Sequence, residues 1–198
     1  MADLRFDLAV IAHELNALPG RTVLDVGCGD GALMAVLRDK SGIDARGIEI
    51  DPGLVEKCVS RGLSVVQGDA NQVLADYPDN AFDYTVLGQT LQTSVRPDKT
   101  LEELLRVSRR AFISFPNFAH WRTRTALLFG GRMPVTQALP VSWYETQNIH
   151  HVTVEDFRGL VKEKGARIER RWFFSQGKEI GTPGANWRAE FALFEVSR

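Results

Sequence analysis

The sequence predicts a doubly wound α/β domain, and three features predict it. β-prone runs alternate with helical runs from residue 22 to residue 115, a rhythm that produces parallel strands with helices on both faces. A glycine cluster, Gly27-Cys28-Gly29-Asp30-Gly31, follows the first β-prone run at once. Acids then stand at the ends of the next two runs, Glu49 and Asp69.

The elements follow in order. Leu4, Leu8, Ile11, Leu15 and Leu18 recur at helical spacing, so residues 3–17 are expected as an amphipathic helix stopped by Pro19-Gly20. Residues 22–26 form the first strand and 32–40 the helix after it, ended by Ser41-Gly42. Residues 45–50 are the second strand, and Pro52 opens a helix, a position where proline is tolerated. Residues 63–67 and 82–88 are the third and fourth strands. Pro97 opens a helix bearing Leu101, Leu104, Leu105 and Val107, and 111–115 is the fifth strand, closed by Pro116.

There the rhythm breaks. Residues 116–152 hold prolines, paired glycines and aromatics, with one helical stretch near 121–129. An irregular segment this long inside a compact domain is usually functional, and it is expected to close over the sheet edge as a lid. Thr153, with Asp156 three residues on, caps a helix that buries Val154, Phe157, Leu160 and Val161 and ends at Gly165. Residues 167–174 and 189–196 are two further strands. Their connection is too short for a crossover helix, so the pair is expected to be antiparallel. The chain, 1–198, reads as one domain with this insertion, since 198 residues suffice for a single sizeable core.

Composition narrows the function classes. Twenty-four basic residues against 25 acidic ones give a charge of −1, so no global field draws in nucleic acid or an anionic membrane. No apolar run approaches the roughly 18 residues of a membrane span. The N-terminal stretch lacks the build of a signal peptide, which leads to an expectation of a cytoplasmic protein. The two cysteines and four histidines have no metal-ligand spacing, and no metal is expected.

The site reading centres on Val23-Leu24-Asp25-Val26-Gly27-Cys28-Gly29-Asp30-Gly31. Such glycines permit a sharp strand-to-helix turn and let backbone amides approach a ligand. Glu49, 20 positions after Gly29, can accept both hydroxyls of a ribose. Asp69, in Gly68-Asp69-Ala70, can accept from an adenine amino group. Gly27, Gly29 and Ala32 also satisfy the G-x-G-x-x-[GA] pattern of NAD sites, so the glycines alone do not choose. Asp25 and Asp30 do: they repel a pyrophosphate and suit S-adenosylmethionine (SAM), which carries a sulfonium and an ammonium. The cofactor set expected is Asp25, Gly27, Cys28, Gly29, Gly31, Glu49, Ile50, Asp69, Ala70 and Gln89, holding SAM or S-adenosylhomocysteine. Cys28 reads as a small turn residue and Cys58 as core.

These motifs resemble those of class I SAM-dependent methyltransferases over about residues 20–115. The resemblance implies a Rossmann-like sheet of seven strands, mostly parallel, with an antiparallel last strand. A narrower resemblance spans most of the chain. It lies in Asp3-Leu4-Arg5 with Asp7-Leu8, Gly47-Ile48-Glu49-Ile50-Asp51-Pro52, Ser114-Phe115-Pro116-Asn117-Phe118 with His120-Trp121-Arg122, Gly130-Gly131-Arg132-Met133-Pro134-Val135-Thr136, and Trp143-Tyr144 with Thr146 and Asn148-Ile149-His150. These strings are similar to the bacterial MetW family of methionine biosynthesis. That resemblance implies a partner, the MetX-type acyltransferase that acylates homoserine.

Two functions from different classes remain: an accessory or regulatory subunit of that acyltransferase, and a methyltransferase acting on a small molecule or protein. Methyl transfer can run on positioning alone, so lack of a catalytic signature excludes nothing. His120, His150 and Tyr144 are the catalytic candidates in the 116–152 segment. The segment and the 175–188 loop, with their arginines and aromatics, are candidate partner surfaces. A homodimer is also compatible with the sequence.

Overall fold

The alternation over residues 22–115 folds as five parallel strands. In the computed structural model, which describes residues 4–198, these are β1 (Thr22–Val26), β2 (Asp44–Glu49), β3 (Ser64–Gln67), β4 (Phe82–Gly88) and β5 (Ser108–Pro116). β6 (Arg167–Ser175), β7 (Lys178–Ile180) and β8 (Phe191–Ser197) complete one sheet, in the order β3-β2-β1-β4-β5-β8-β6-β7. β8 runs antiparallel to β6, as the short connection between them predicts, and also to β5. The sheet has eight strands, one more than the seven expected. The extra strand, β7, follows a two-residue turn in which Gln176 and Gly177 both have positive φ, 52° and 71°. That geometry folds a chain back as a tight hairpin, and three residues are too few to show a strand pattern in sequence.

The helices are α1 (Phe6–Ala17), α2 (Ala32–Ser41), α3 (Pro52–Ser60), α4 (Ala70–Val73), α5 (Pro97–Val107), α6 (Trp121–Thr125), α7 (Val154–Glu163) and α8 (Ala185–Arg188). The alternating side chains of each strand feed two cores. Leu24, Val26, Leu87, Ile113 and Phe115 pack with Leu101, Leu104 and Phe157 of α5 and α7. Val23, Tyr84, Val86 and Phe112 pack on the other face with Ile11, Leu15, Leu33 and Leu37 of α1 and α2. Thr153 caps α7 as expected, accepting from the Asp156 amide at 3.1 Å. Cys58 is core as expected, fully buried with Cys28, Met34 and Leu63.

Several boundaries differ from the sequence reading. Asp3 lies outside the described residues, and the first helix begins at Phe6, not at residue 3, because Arg5 is extended at ψ 141°. β5 runs from Ser108 rather than 111. The short α4 and α8 were not expected, since helices of four residues carry no periodicity. The helical stretch near 121–129 divides into α6 and a π-helical turn, Ala126–Gly130. From Gly131 to Thr153 the chain has neither helix nor strand.

The buried stripe of α1 is Asp7, Ile11 and Leu15, so a carboxylate occupies an apolar face. Asp7 is fully buried and accepts from Arg5 Nε at 2.6 Å, Arg5 Nη2 at 3.0 Å and Ser114 Oγ at 2.6 Å. The Ser114 hydroxyl in turn accepts from the Gln89 amide at 3.1 Å. This network docks α1 across the carboxyl ends of β4 and β5. Asp7→Ala is expected to lower unfolding stability by about 2 kcal/mol in urea titration, because Ser114 loses its acceptor while half-exposed Arg5 regains water.

Candidate functional site

β1 lies between β2 and β4, where the strand order reverses. Open α/β sheets bind ligands at this point, outside the carboxyl ends of the strands. The glycine turn lies here. Gly27 and Gly31 have φ of 71° and 78°, backbone that side chains with a Cβ rarely adopt. Space imposes the same choice. A Cβ on Gly27 would lie 2.5 Å from Thr90 Oγ1, and one on Gly31 2.4 Å from Leu63 Cδ1. The turn is therefore pressed between the loop after β4 on one side and the α3–β3 junction on the other.

Glu49, at the end of β2, holds the turn in place. Its Oε2 accepts from the Gly29 amide at 2.8 Å, and its Oε1 from the Ile50 and Asp51 amides at 2.8 and 3.0 Å. The Ile48 carbonyl accepts from the Gly27 and Cys28 amides at 2.8 and 3.1 Å. Glu49 is 93% buried, at 7% exposure, so it is a clamp as well as an acid at a strand end. Ile50 beside it is 66% exposed, an apolar platform at the rim.

Asp25 is 3% exposed, and no hydrogen bond among the described residues engages its carboxylate. Burial pushes its pKa up to about 7, with Glu49 and Asp7 adding to the rise and Arg5 opposing it. Asp69 caps α4: its Oδ1 accepts from the Asn71 amide at 2.9 Å and from Asn71 Nδ2 at 3.0 Å. Ala70 heads that helix, so its amide has no intrahelical acceptor. Asp30 differs from the acidic rim expected of it. Its half-exposed carboxylate lies 3.1 Å from Arg61 Nη1, so a cation stands beside it. Cys28 Sγ faces the Gly29 carbonyl and burial raises its pKa, so it is an inert turn residue.

The loop after β4 forms the next wall. Gln89 has a positive φ of 58°, an uncommon conformation for a residue with a side chain. Its Nε2 is buried without a hydrogen-bond partner among the described residues, as are Gln92 Oε1 and His150 Nε2. The Gln92 side chain donates to the Gln89 carbonyl at 2.6 Å, and the Gln92 carbonyl accepts from the Ile149 and His150 amides at 2.9 and 3.0 Å. Gln89, Gln92 and His150 thus form one cluster.

The three catalytic candidates stand in different surroundings. His150 is half-buried beside Gln92. His120 is buried at the start of α6, where burial lowers its pKa. Tyr144 is 71% exposed, edge-on to Trp143. Asn117, just after β5, is a brace: its Nδ2 donates to the Asn186 and Ala189 carbonyls, and its Oδ1 accepts from the Ala119 and Val154 amides. With the Phe118 amide donating to the Val152 carbonyl at 3.0 Å, it pins together the two ends of the irregular segment.

Sequence reasoning missed the Arg5–Asp7–Ser114–Gln89 network. The signal was present: Asp7, Ile11 and Leu15 share helical spacing, so Asp7 falls within the apolar stripe.

This topology and turn define the fold of the SAM-dependent methyltransferases. A SAM-dependent methyltransferase from Archaeoglobus fulgidus superposes with a TM-score of 0.70 at 16% identity, covering 96% of this chain and 94% of its own. The [4+2]-cyclase SpnF superposes at 0.69 with 18% identity, covering 98% of this chain and 81% of its own, so the fold also hosts a protein named for other chemistry. Within that fold the chain belongs to the MetW family: the family model for methionine biosynthesis protein MetW matches residues 5–196. A relative from Rhodopirellula baltica, the bifunctional methionine biosynthesis protein MetXA/MetW, is 34% identical over 178 residues. These residues cover 84% of this chain and only 29% of that protein.

The clamp yields a test that separates structure from ligand contact. Glu49→Gln has one acceptor oxygen where the native carboxylate has two, so one side of the turn loses its bond. Thermal unfolding without any ligand is expected at a temperature several degrees below wild type, equivalent to about 1–2 kcal/mol. An Asp69→Asn control, which retains a capping oxygen, should unfold near wild type.

Proposed function

We propose that this chain binds SAM, or its demethylated product, across the carboxyl ends of β1, β2 and β3, and acts as an accessory, regulatory partner of a MetX-type homoserine O-acyltransferase. The cofactor half rests foremost on Asp25. A buried carboxylate held by no hydrogen bond is costly, and a ligand ammonium relieves that cost. A phosphate would aggravate it. The donor set around it fits the rest of SAM. The turn of Gly27, Cys28, Gly29 and Gly31 leaves open space above Gly29. Glu49 faces the ribose, Ile50 and the Ala70 amide the adenine, and Asp69 its amino group through the oxygen not used in capping. Gln89 stands at the methionine end. Bound SAM supplies a methyl group activated by a sulfonium.

The partner half rests on the MetW family and on the relative in which MetXA and MetW share one chain. In that arrangement SAM, a product made from methionine, reports pathway output. The irregular segment, 116–152, acts as a lid, since the loop that touches Gly27 also holds its far end through Gln92. A cytoplasmic setting accords with this role. Among the described residues no helix is long and apolar enough to cross a membrane.

A second reading, a methyltransferase on a small molecule or protein, is favoured by the three unpartnered atoms of Gln89, Gln92 and His150 beside the site. They offer hydrogen bonds to an acceptor molecule, and His150 is the base nearest to hand.

Two experiments test these readings. The first follows Asp25. Below pH 7 its carboxyl holds a proton that must leave before an ammonium can pair, so SAM affinity should fall about an order of magnitude between pH 7 and pH 5.5. Calorimetry in two buffers of different ionisation enthalpy should register the proton released. Asp25→Asn should bind more weakly at pH 7 and lose the dependence; an Asp25→Asn variant that binds as tightly as wild type would remove Asp25 from the site. The second assays homoserine acylation by the purified acyltransferase with this chain, with and without SAM. A change in rate at saturating SAM is expected, and unchanged acylation would sink the regulatory role. Labelled product from SAM and cell extract, lost in His150→Ala, would favour methyl transfer instead.

A further inference from the structure

Residues 117–144 include Arg122, Arg124 and Arg132 and no Asp or Glu. The same stretch exposes large apolar side chains, among them Leu128 at 76%, Phe129 at 84%, Trp143 at 74% and Tyr144 at 71%. Monomer surfaces rarely leave such side chains clustered in water, and aromatic residues with arginine are the composition of interface anchors. Their exposure is built in. Phe129 projects from a π-helical turn that ends at Gly131 in a left-handed conformation, φ 61°. Beside the exposed side chains lies an apolar cleft of about 300 Å³, lined chiefly by Phe118, Met133, Pro134, Leu139, Val141 and Trp143. This volume accepts one or two aliphatic or aromatic side chains. Asn117 and the Phe118–Val152 hydrogen bond brace the segment at its base, so the surface is held in place.

Charge selects the occupant. In a symmetric contact between two copies the patch would meet itself, and its three arginines would face three more, against Glu145 at its edge and Glu190, 4.0 Å from Arg122. A complementary partner presents apolar side chains flanked by carboxylates. The relative that carries MetXA and MetW in one chain supplies a candidate, because fusion keeps two contacting modules at high effective concentration. We infer that the cationic aromatic face formed by Leu128, Phe129, Arg132, Trp143 and Tyr144, with the cleft beside it, is the docking surface for the homoserine O-acyltransferase, which inserts an apolar side chain into the cleft and sets acidic residues against the arginines. This rests on the partner proposed above.

The test uses the full chain and the acyltransferase from the same organism, with affinity measured by calorimetry or interferometry. Leu128→Asp/Phe129→Asp alters two side chains the fold does not bury, and Arg132→Glu alters the charge alone. The double variant is expected to weaken the complex at least about thirtyfold, and Arg132→Glu several-fold, with greater loss at low salt than at high salt. SAM binding by both variants should match wild type, which shows that the fold survives. If wild type binds the acyltransferase and the double variant binds equally well, the surface is wrong while the partner stands. If wild type does not bind it, the partner and the surface both fall. Sedimentation of the chain alone adds a further outcome: a wild-type dimer that the double variant dissolves would make a second copy the occupant. Co-sedimentation with anionic phosphatidylserine vesicles, lost in the double variant, would make it a lipid surface. Either result overturns the inference.

Discussion

The Glu49 carboxylate is the constraint on which the site depends. A strand-to-helix turn with three glycines in positive φ has a large conformational entropy to lose on folding. The Ile48 and Cys28 carbonyls take the Gly27, Cys28 and Gly31 amides, and the Gly29 amide between them is left to a side chain. Glu49 supplies two oxygens to three amides on both sides of the crevice, Gly29 on one and Ile50 and Asp51 on the other. One side chain thereby joins the end of β2 to the turn after β1. The Ile48 carbonyl adds two more bonds along the same seam. Beneath it Cys28, Met34, Cys58 and Leu63 fill the space, and a Cβ on Gly47 would meet Cys28 Sγ at 2.5 Å. The turn has no room to relax in that direction, so its shape exists before any ligand arrives. Preorganisation of this kind reduces the entropy lost on binding.

The electrostatics follow from the same crowding. Asp7, Asp25 and Glu49 converge near the carboxyl edge with Arg5 as the nearby cation, and Arg5 is itself half-exposed. Three buried acids against one cation leave a deficit of positive charge. Asp7 meets its share through Arg5 and Ser114, and Glu49 through backbone amides. Asp25 has neither and takes up a proton near neutrality. A site arranged in this way favours a cation over an anion, whatever the rest of the ligand is. That is the physical difference between this turn and the dinucleotide turn it matches in pattern, where the helix N-terminus is left free for a phosphate.

How much of this was legible in the sequence depends on the range of the interaction. The strands from 22 to 88 and helices such as α5 are local, and their patterns gave boundaries within a residue or two. Thr153 with Asp156 is local too, and the cap formed where it was read. The positions of Glu49 and Asp69 were legible because strand ends in an alternating fold fall at one edge. What Glu49 does there was not legible, since its contact with Gly29 spans 20 residues. Asp30 was read as part of an acidic rim, and the cation that pairs with it, Arg61, lies 31 residues away. The bracing role of Asn117 was not legible either. Three of its four partners, at Val154, Asn186 and Ala189, lie on segments that only the folded chain brings together. The hairpin to β7 was missed because Gln176 has no obvious preference for the left-handed region that it occupies.

The irregular segment joins the two halves of the functional proposal. Its far end, at Ile149 and His150, hangs on the Gln92 carbonyl, and Gln92 also grips the Gln89 carbonyl. Thr90, between them, touches the turn at Gly27. Gln89 is the strained member, held by Ser114 and so by Asp7 and α1. A ligand that engages the Gln89 side chain would act directly on the loop that supports the segment bearing Trp143 and Tyr144. Such contiguity is a route for coupling; coupling itself requires two arrangements of the loop whose populations the ligand shifts. The unpartnered atoms of Gln89, Gln92 and His150 are the physical basis for a second arrangement, since three buried polar groups without hydrogen bonds destabilise the one observed. Whichever ligand satisfies them gains that free energy on binding. If the satisfied arrangement also differs in affinity for the partner, linkage makes the effect reciprocal, and the acyltransferase must alter SAM affinity by the same factor.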